Sequence, residues 1–145
     1  MRNVDEIVKK GKEVLDTSVD FSACLRASGL LLVRNNYFDT VEKVMEKARL
    51  GDHDGIRIVT SINKDSVDLI ETFLELGVQI RHVKNLPPID FSVSDKEMVA
   101  TIQKSDYGEM GQNLLSSNET AYIDHFTSVF DELWKNGIEA QSRIN

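Results

Sequence analysis

The sequence predicts an α/β fold: a single domain with a mixed, mostly parallel sheet flanked by helices. Between residues 56 and 83, a β-rich run, a helical pattern and a second β-rich run follow one another. Such a crossover almost always makes its two strands parallel. A strand and a helix earlier in the chain add one more unit in front of this one. The length of 145 residues is typical of one domain with a substantial core.

Helical and strand patterns alternate through the first 85 residues. A helix is predicted within residues 1–18, and residues 19–145 are predicted to form the α/β core. Strands are predicted at 21–25, 56–60 and 78–83, where apolar and β-branched residues cluster. Helices are predicted from 38 to a stop at Gly51, and from a cap at Asn63 to a stop at Gly77. Residues 26–36 are ambiguous between a strand, a helix and a loop.

The pattern changes after the two prolines at 87–88. Residues 89–95 alternate between apolar and polar side chains, which predicts a strand, and 97–102 is predicted to return as its antiparallel partner. Residues 104–112 are polar and contain two glycines, so we expect a mobile loop there. A short strand at 114–116 precedes a final helix that begins at a cap on Asn118 and ends at Gly137.

Composition and charge exclude several classes of protein. The longest apolar run, residues 29–33, is far too short to cross a bilayer, and the first residues do not resemble a secretory signal. We therefore expect a cytoplasmic protein. The net charge of −7 repels phosphate backbones, so we expect no nucleic-acid partner and no membrane insertion. Cys24 is the only cysteine and the three histidines are scattered, so we expect no disulfide, metal or other cofactor.

Several polar residues follow predicted strands, and we expect them to share one edge of the sheet. Ligands of open α/β sheets bind outside the carboxyl ends of the strands, and helix N-termini offer free N–H groups to an anion. Arg81 is the strongest candidate because a guanidinium binds carboxylate or phosphate through two hydrogen bonds. A salt bridge from Arg81 to Asp95 is the structural alternative. The candidate ligand-binding residues are Arg81, His82, Asp95, Ser116, Asn118, Thr60 and Arg26.

The polar segments resemble the phospholipase D-like fold, in which a strand carries His-x-Lys with an Asp further on, followed by a Ser-x-Asn segment. Asp95 and Ser116–Asn118 are similar to the later parts of that pattern. Counted back from Asp95, however, the nucleophile position is Pro88 and the Lys position is Asp90. The other pair, His82 and Lys84, has Ile89 where the family has Asp. Because proline cannot attack a phosphate, we expect the chain not to be an enzyme.

The chain more closely resembles a non-catalytic version of this fold, the input domain of archaeal sensor histidine kinases and related regulators. Four segments and the final helix carry the resemblance: 55–62, 77–83, 89–97, 115–119 and 126–138. The resemblance implies signal transduction in a two-component system, by a homodimeric sensor domain upstream of a kinase or regulatory output domain. It also implies a small polar or anionic ligand, or relay of a conformational signal. No kinase core or ATP site is recognisable within the 145 residues.

Two other functions fit the same sequence. A ligand-free interaction or dimerisation module would dock a partner through its acidic surface or its last helix. A degenerate phosphodiesterase would turn over a generic phosphodiester and would depend on His82. Arg81→Ala distinguishes the first alternative from a ligand-binding sensor, because the interaction module does not need this residue.

Overall fold

The computed structural model describes residues 9–10, 12–13, 15, 20–51, 53–87, 89–102 and 113–144. Of the predicted N-terminal helix at 1–18, residues 9–10, 12–13 and 15 have helical backbone, and the others lie outside the described residues. The predicted loop at 104–112 also lies outside them. The division into a helix at 1–18 and a core at 19–145 therefore stays a prediction.

Seven strands and four longer helices are assigned from residue 20 onward. The strands are β1 (Asp20–Cys24), β2 (Gly55–Thr60), β3 (Gln79–His82), β4 (Ile89–Ser94), β5 (Met98–Ile102), β6 (Asn113–Ser117) and β7 (Ile138–Glu139). The helices are α1 (Ala27–Gly51), α2 (Val67–Glu75), α3 (Thr120–Asn136) and α4 (Ala140–Ile144), and a 3-10 turn (Lys64–Ser66) precedes α2. None of the helices in the described part of the chain is long and apolar enough to span a membrane.

The strands form one mixed sheet in the spatial order β6-β5-β4-β1-β2-β3-β7. The first three strands are parallel, with β2 between β1 and β3. Strand β4 is antiparallel to β1, and β5 and β6 continue as an antiparallel meander. Strand β7 is antiparallel to β3. The predicted α/β class with a mixed sheet flanked by helices is confirmed, as is the antiparallel return of 98–102. The expectation that the sheet is mostly parallel is wrong, because β4, β5, β6 and β7 all pair in the antiparallel direction.

Each face of the sheet is covered by its own helices. On the first face, Phe21, Ala23 and Ile58 pack with the buried residues of α1 and α2. On the second face, Cys24, Val59 and Phe91 pack with Phe130 of α3. Successive residues of a strand point to opposite faces, and β1 and β2 feed both clusters. Their near-continuous apolar composition follows from burial on both sides.

The ambiguous segment 26–36 is the first part of α1. It joins the predicted helix at 38–50 across Tyr37, whose backbone is not helical (φ −129°, ψ 15°). Leu30 is buried, whereas its neighbour Leu31 is exposed. The run of apolar residues at 29–33 hid this one-sided burial, so hydrophobic period alone could not identify the helix.

The segment after Gly137 adds an edge strand and a short helix that the sequence did not reveal. The predicted helix stop at Gly137 is confirmed, since Gly137 is the C-cap residue of α3. That helix is not the last element, however, because residues 138–139 pair with Arg81 and His82 of β3. Helix α4 then returns Ala140 to the core, where its side chain is almost completely buried. A two-residue strand is too short to produce a recognisable alternation.

Candidate functional site

The predicted site residues lie at two opposite edges of the sheet. Strands β1, β2 and β3 end at the edge that carries Arg26, Thr60 and His82. Strand β4 runs the other way, since Phe21 at the start of β1 pairs with Ser94. Asp95 therefore lies at the far edge. Ser116 and Asn118 lie there too, because Ser117 pairs with Met98 at the start of β5. The expectation that all seven residues share one edge is wrong.

Arg26 and Asp90 lie at the centre of the edge where strands β1, β2 and β3 end, which we call the carboxyl edge. The backbone N–H of Arg26, just before helix α1, donates to Oδ1 of Asp90 at 3.3 Å. The guanidinium donates to the carbonyl of Pro87 at 2.7 Å, and its Nε lies 4.0 Å from Oδ1 of Asp90. These contacts tie the start of α1 to the start of β4. The Pro87 carbonyl and the Asp90 carboxylate also offset much of the positive charge of Arg26, which would otherwise attract an anion.

Asp90 is a buried carboxylate with an incomplete set of partners. Its residue is only 4% exposed, and its Oδ2 has no hydrogen-bond partner among the described residues. Burial raises the pKa of Asp90 to about 6, although the N–H and the charge of Arg26 lower it. Burial and then the charge of Asp90 raise the pKa of the Cys24 thiol to about 12. Cys24 is therefore a poor nucleophile, as expected of a buried apolar residue.

His82 and Thr60 connect β2 to β3. The Nδ1 atom of His82 accepts a hydrogen bond from the backbone N–H of Ile62 at 2.9 Å, so the neutral ring carries its proton on Nε2. Burial and then the charge of Arg143 lower the pKa of His82. The Thr60 side chain is buried, and its hydroxyl has no hydrogen-bond partner among the described residues. His82 thus holds the loop after β2 in place.

Arg81 lies on the second face of the sheet, against helix α3. Its guanidinium lies over the ring of Trp134, 4.4 Å from the centroid, and donates to the backbone carbonyl of Trp134 at 2.7 Å. Glu139 of β7 lies 3.7 Å from the same group. Arg57 packs beside it, 5.1 Å from the centroid of Phe130. The predicted alternative partner Asp95 is at the other edge, so the acidic partner of Arg81 is Glu139.

The three predicted residues at the far edge are exposed. Asp95 lies in the turn between β4 and β5, where Ser94, rather than Asp95, accepts the backbone N–H groups of Lys96 and Glu97, each at 3.2 Å. Ser116 and Asn118 flank Ser117, whose hydroxyl accepts the N–H of Glu119 at 3.0 Å. The predicted cap on Asn118 is wrong, because helix α3 has Glu119 at its N-cap position and no side-chain cap.

The arrangement at the carboxyl edge can bind or position a group, but it offers no nucleophile with a base beside it. The Nδ1 lone pair of His82 is occupied, and no group of His, Cys, Asp or Glu within the described ranges could hold a metal. The residue that the sequence analysis missed is Asp90. A single acidic residue among the alternating residues 89–94 does not reveal its burial, which depends on how α1 covers the sheet.

Comparisons with known proteins find matches among solved structures but none among family models or curated proteins. Among the solved structures that match is TrmBL2, described as an archaeal chromatin protein with a novel mode of DNA binding. The TM-score is 0.67 at 12% sequence identity, and the match covers 94% of this chain. The chain spans about half of TrmBL2, since the match covers 52% of that protein.

This match corrects the resemblance drawn from the polar segments. The assignment to a phospholipase D-like input domain of sensor histidine kinases is wrong, since the matched fold is that of a chromatin protein. The signal-transduction function and its interaction-module alternative lose their basis with it. The expectation of no nucleic-acid partner is contradicted as well, because TrmBL2 binds DNA.

Proposed function

We propose that this chain is a non-catalytic domain of a DNA-associated chromatin or regulatory protein. The observation that carries the proposal is the shared fold with TrmBL2 over 94% of the chain. The site chemistry agrees with it, because His82 and Arg81 are held by protein partners and neither is poised for a reaction. Such a protein works in the compartment that contains the cell's DNA.

The charge of the chain limits how it approaches DNA. A net charge of −7 repels a duplex from most of the surface, so contacts with phosphates need a local basic surface. The arginines of the sheet do not supply one. Arg26 binds the Pro87 carbonyl and lies near Asp90, Arg57 lies over Phe130, and Arg81 lies over Trp134.

Helix α1 offers two lysines on its solvent side. Lys43 and Lys47 are exposed and lie one helical turn apart, so their side chains share a face. Neither has an ion pair with a described residue, whereas Arg49 is held by Glu46 at 3.1 Å. We assign the phosphate contacts of this domain to Lys43 and Lys47.

The test is the binding of the purified full-length protein to a duplex, measured by fluorescence anisotropy over a range of salt concentrations. Each phosphate contact contributes about −0.9 to the slope of log Kobs against log salt. The double variant Lys43→Glu with Lys47→Glu is expected to bind more weakly and to make this slope shallower by about 2.

The matched control carries the same charge change at the other end of the molecule. Lys64→Glu with Lys84→Glu alters two exposed lysines near the carboxyl edge and is expected to leave the slope unchanged. Equal effects of the two double variants would show a non-specific charge effect and would remove Lys43 and Lys47 from the interface. No measurable binding of the wild-type protein at low salt would contradict the proposed function itself.

A further inference from the structure

A cavity that is partly open to solvent lies between helix α1 and the first face of the sheet. Its volume is about 90 Å³, and its walls come from β1, β2, α1, α2, β4 and β5. Most of the lining is apolar, including Leu32, Val33 and Phe73. By the volume that water occupies in the liquid, this space holds roughly three water molecules. It therefore has room for a compact ligand with a small apolar body.

Among the described residues that line this cavity, Asp90 carries the charged group, a carboxylate. Oδ1 accepts the N–H of Arg26, and Oδ2 is left without a partner among the described residues. A Cβ atom placed on Gly29 would lie 2.8 Å from Oδ2. Only glycine at this position leaves room for the carboxylate beside the first turn of α1, and any ligand donor must approach Oδ2 from the cavity side.

An unsatisfied buried acceptor is costly. Leaving such a group without a hydrogen bond removes about 1–3 kcal/mol of stability, and buried polar groups in folded proteins nearly always have partners. Anchoring the start of α1 explains why one oxygen of Asp90 is buried there. It does not explain why a second carboxylate oxygen is buried there. An Asn side chain, or a pocket that holds water beside Oδ2, would allow the same anchoring without leaving an oxygen unpaired. A ligand that donates a hydrogen bond to Oδ2 removes this cost.

We propose that this cavity binds a small, mostly apolar molecule whose one polar group, a hydroxyl or an ammonium, donates a hydrogen bond to Oδ2 of Asp90. Leu32 and Val33 contact the apolar body of the ligand. Both are only partly buried, so solvent reaches this part of the wall and the ligand has a route in. This site is separate from the lysines assigned to DNA and does not depend on that function.

The chemistry of the wall selects the ligand class. A carboxylate accepts hydrogen bonds and repels anions, so acids are excluded. A purely apolar molecule fills the space but leaves Oδ2 unsatisfied. A large polar molecule such as a sugar would lose more hydrogen bonds to water than this wall can replace. A short branched or cyclic alcohol or amine fills the apolar part of the wall and donates a hydrogen bond to Oδ2 of Asp90.

The experiment uses isotope-labelled full-length protein and three probes that share one apolar body: cyclopentylamine, cyclopentanol and cyclopentane. Amide signals of Gly29, Asp90 and Thr101 are followed by NMR during titration near pH 7.5. We expect saturable shifts at these residues with the amine, the alcohol or both. A hydrogen bond to a charged acceptor is stronger than one to a neutral acceptor. Asp90→Asn is therefore expected to weaken ligand binding by about tenfold or more. Preference for the amine or the alcohol identifies the natural donor as a cation or a hydroxyl.

Two further variants keep the proposal open to refutation. Asp95→Asn removes a carboxylate at the exposed turn and is expected to leave binding unchanged. Val33→Phe enlarges a partly exposed side chain of the wall and leaves the Asp90 residue itself unchanged; it should abolish binding even if Asp90→Asn does not fold. Cyclopentane binding as tightly as the donors, with Asp90→Asn without effect, would show a simple apolar void and overturn the proposal. So would the absence of saturable shifts with every probe.

Discussion

The packing around Arg81, His82 and Asp90 sets the role of each of these side chains. Arg81 and His82 were predicted to bind a ligand, yet the first caps and stacks on α3 and the second accepts the N–H of Ile62. Asp90 was noted in the sequence only as the residue at the Lys position of the phospholipase D-like pattern, yet it is the described carboxylate whose pKa is clearly shifted. Residue type indicated what these groups can do, and neighbours from distant segments decided what they do.

Arg81→Ala is expected to destabilise the protein although no ligand is involved. The variant loses the cation–π contact with Trp134 and the hydrogen bond to its carbonyl. Because the side chain is about a quarter exposed, the expected loss is about 1–3 kcal/mol of unfolding free energy. Urea denaturation measures it. Arg49→Ala, which removes a largely exposed arginine, is the control and should change stability by less than about 1 kcal/mol.

Asp90 is expected to make the protein less stable as the pH rises. Its pKa is raised from 3.8 to about 6 in the folded state, so its favourable contribution is complete below about pH 4 and is lost as the pH passes 6. The total change is roughly 3 kcal/mol. We therefore expect the stability of wild type relative to Asp90→Asn to fall between pH 4 and pH 7.5.

Denaturation of both proteins at each pH measures this difference, and the other titrating groups cancel in the comparison. Asp95→Asn, at an exposed carboxylate, provides the control and should show no such trend. The difference in unfolding free energy between wild type and Asp90→Asn could instead stay constant with pH. That result would mean that the pKa of Asp90 is not raised and that water reaches its carboxylate.

At the scale of elements, the sequence predicted most of the strands and helices and missed those without a local signature. Strands β1 to β6 and helices α2 and α3 fall where periodicity and glycine stops placed them, within a few residues. Three elements were missed. The apolar run at 29–33 hides the helical period in the first part of α1, β7 is only two residues long, and α4 is only five residues long. Tertiary burial, not local preference, determines all three.

The segment formed by β7 and α4 is expected to be a structural part of the domain. Ala140 is almost completely buried in the main core cluster, so Ala140→Asp places a charge among apolar side chains. The expected loss of unfolding free energy is several kcal/mol. Gln141→Asp adds the same charge at the next, exposed residue and is the matched control.

Thermal denaturation followed by circular dichroism compares the two variants. Unfolding of Ala140→Asp at a temperature similar to that of Gln141→Asp would mean that residues 138–144 do not pack on the core. Arg81 would then lack its acidic partner, since Glu139 lies in the same segment.

At the scale of the whole molecule, the sequence could give the α/β class but not the positions of the site residues. The class follows from element order and from the parallel crossovers. The edge at which each polar residue lies depends on the direction of β4, which joins β1 rather than β3. One reversed strand moves Asp95, Ser116 and Asn118 to the far edge.

The fold of the chain favours binding to DNA and its net charge disfavours it, and the proposed function takes both into account. The fold matches a DNA-binding chromatin protein, whereas the net charge is −7. Under the proposed function, such a domain would meet a duplex over a small basic area rather than wrap it. We assign that area to Lys43 and Lys47 on α1, because the partly buried Arg26, Arg57 and Arg81 are held by contacts within the protein.

The most direct test of the central claim is the association of the native protein with DNA in its own cells. Cells carrying the tagged full-length protein are crosslinked with formaldehyde, and the DNA recovered with the protein is quantified against an unrelated tagged protein of similar abundance. Association with DNA predicts clear enrichment that DNase treatment removes and that Lys43→Glu with Lys47→Glu reduces. Recovery of DNA no greater than with the unrelated protein would contradict the claim.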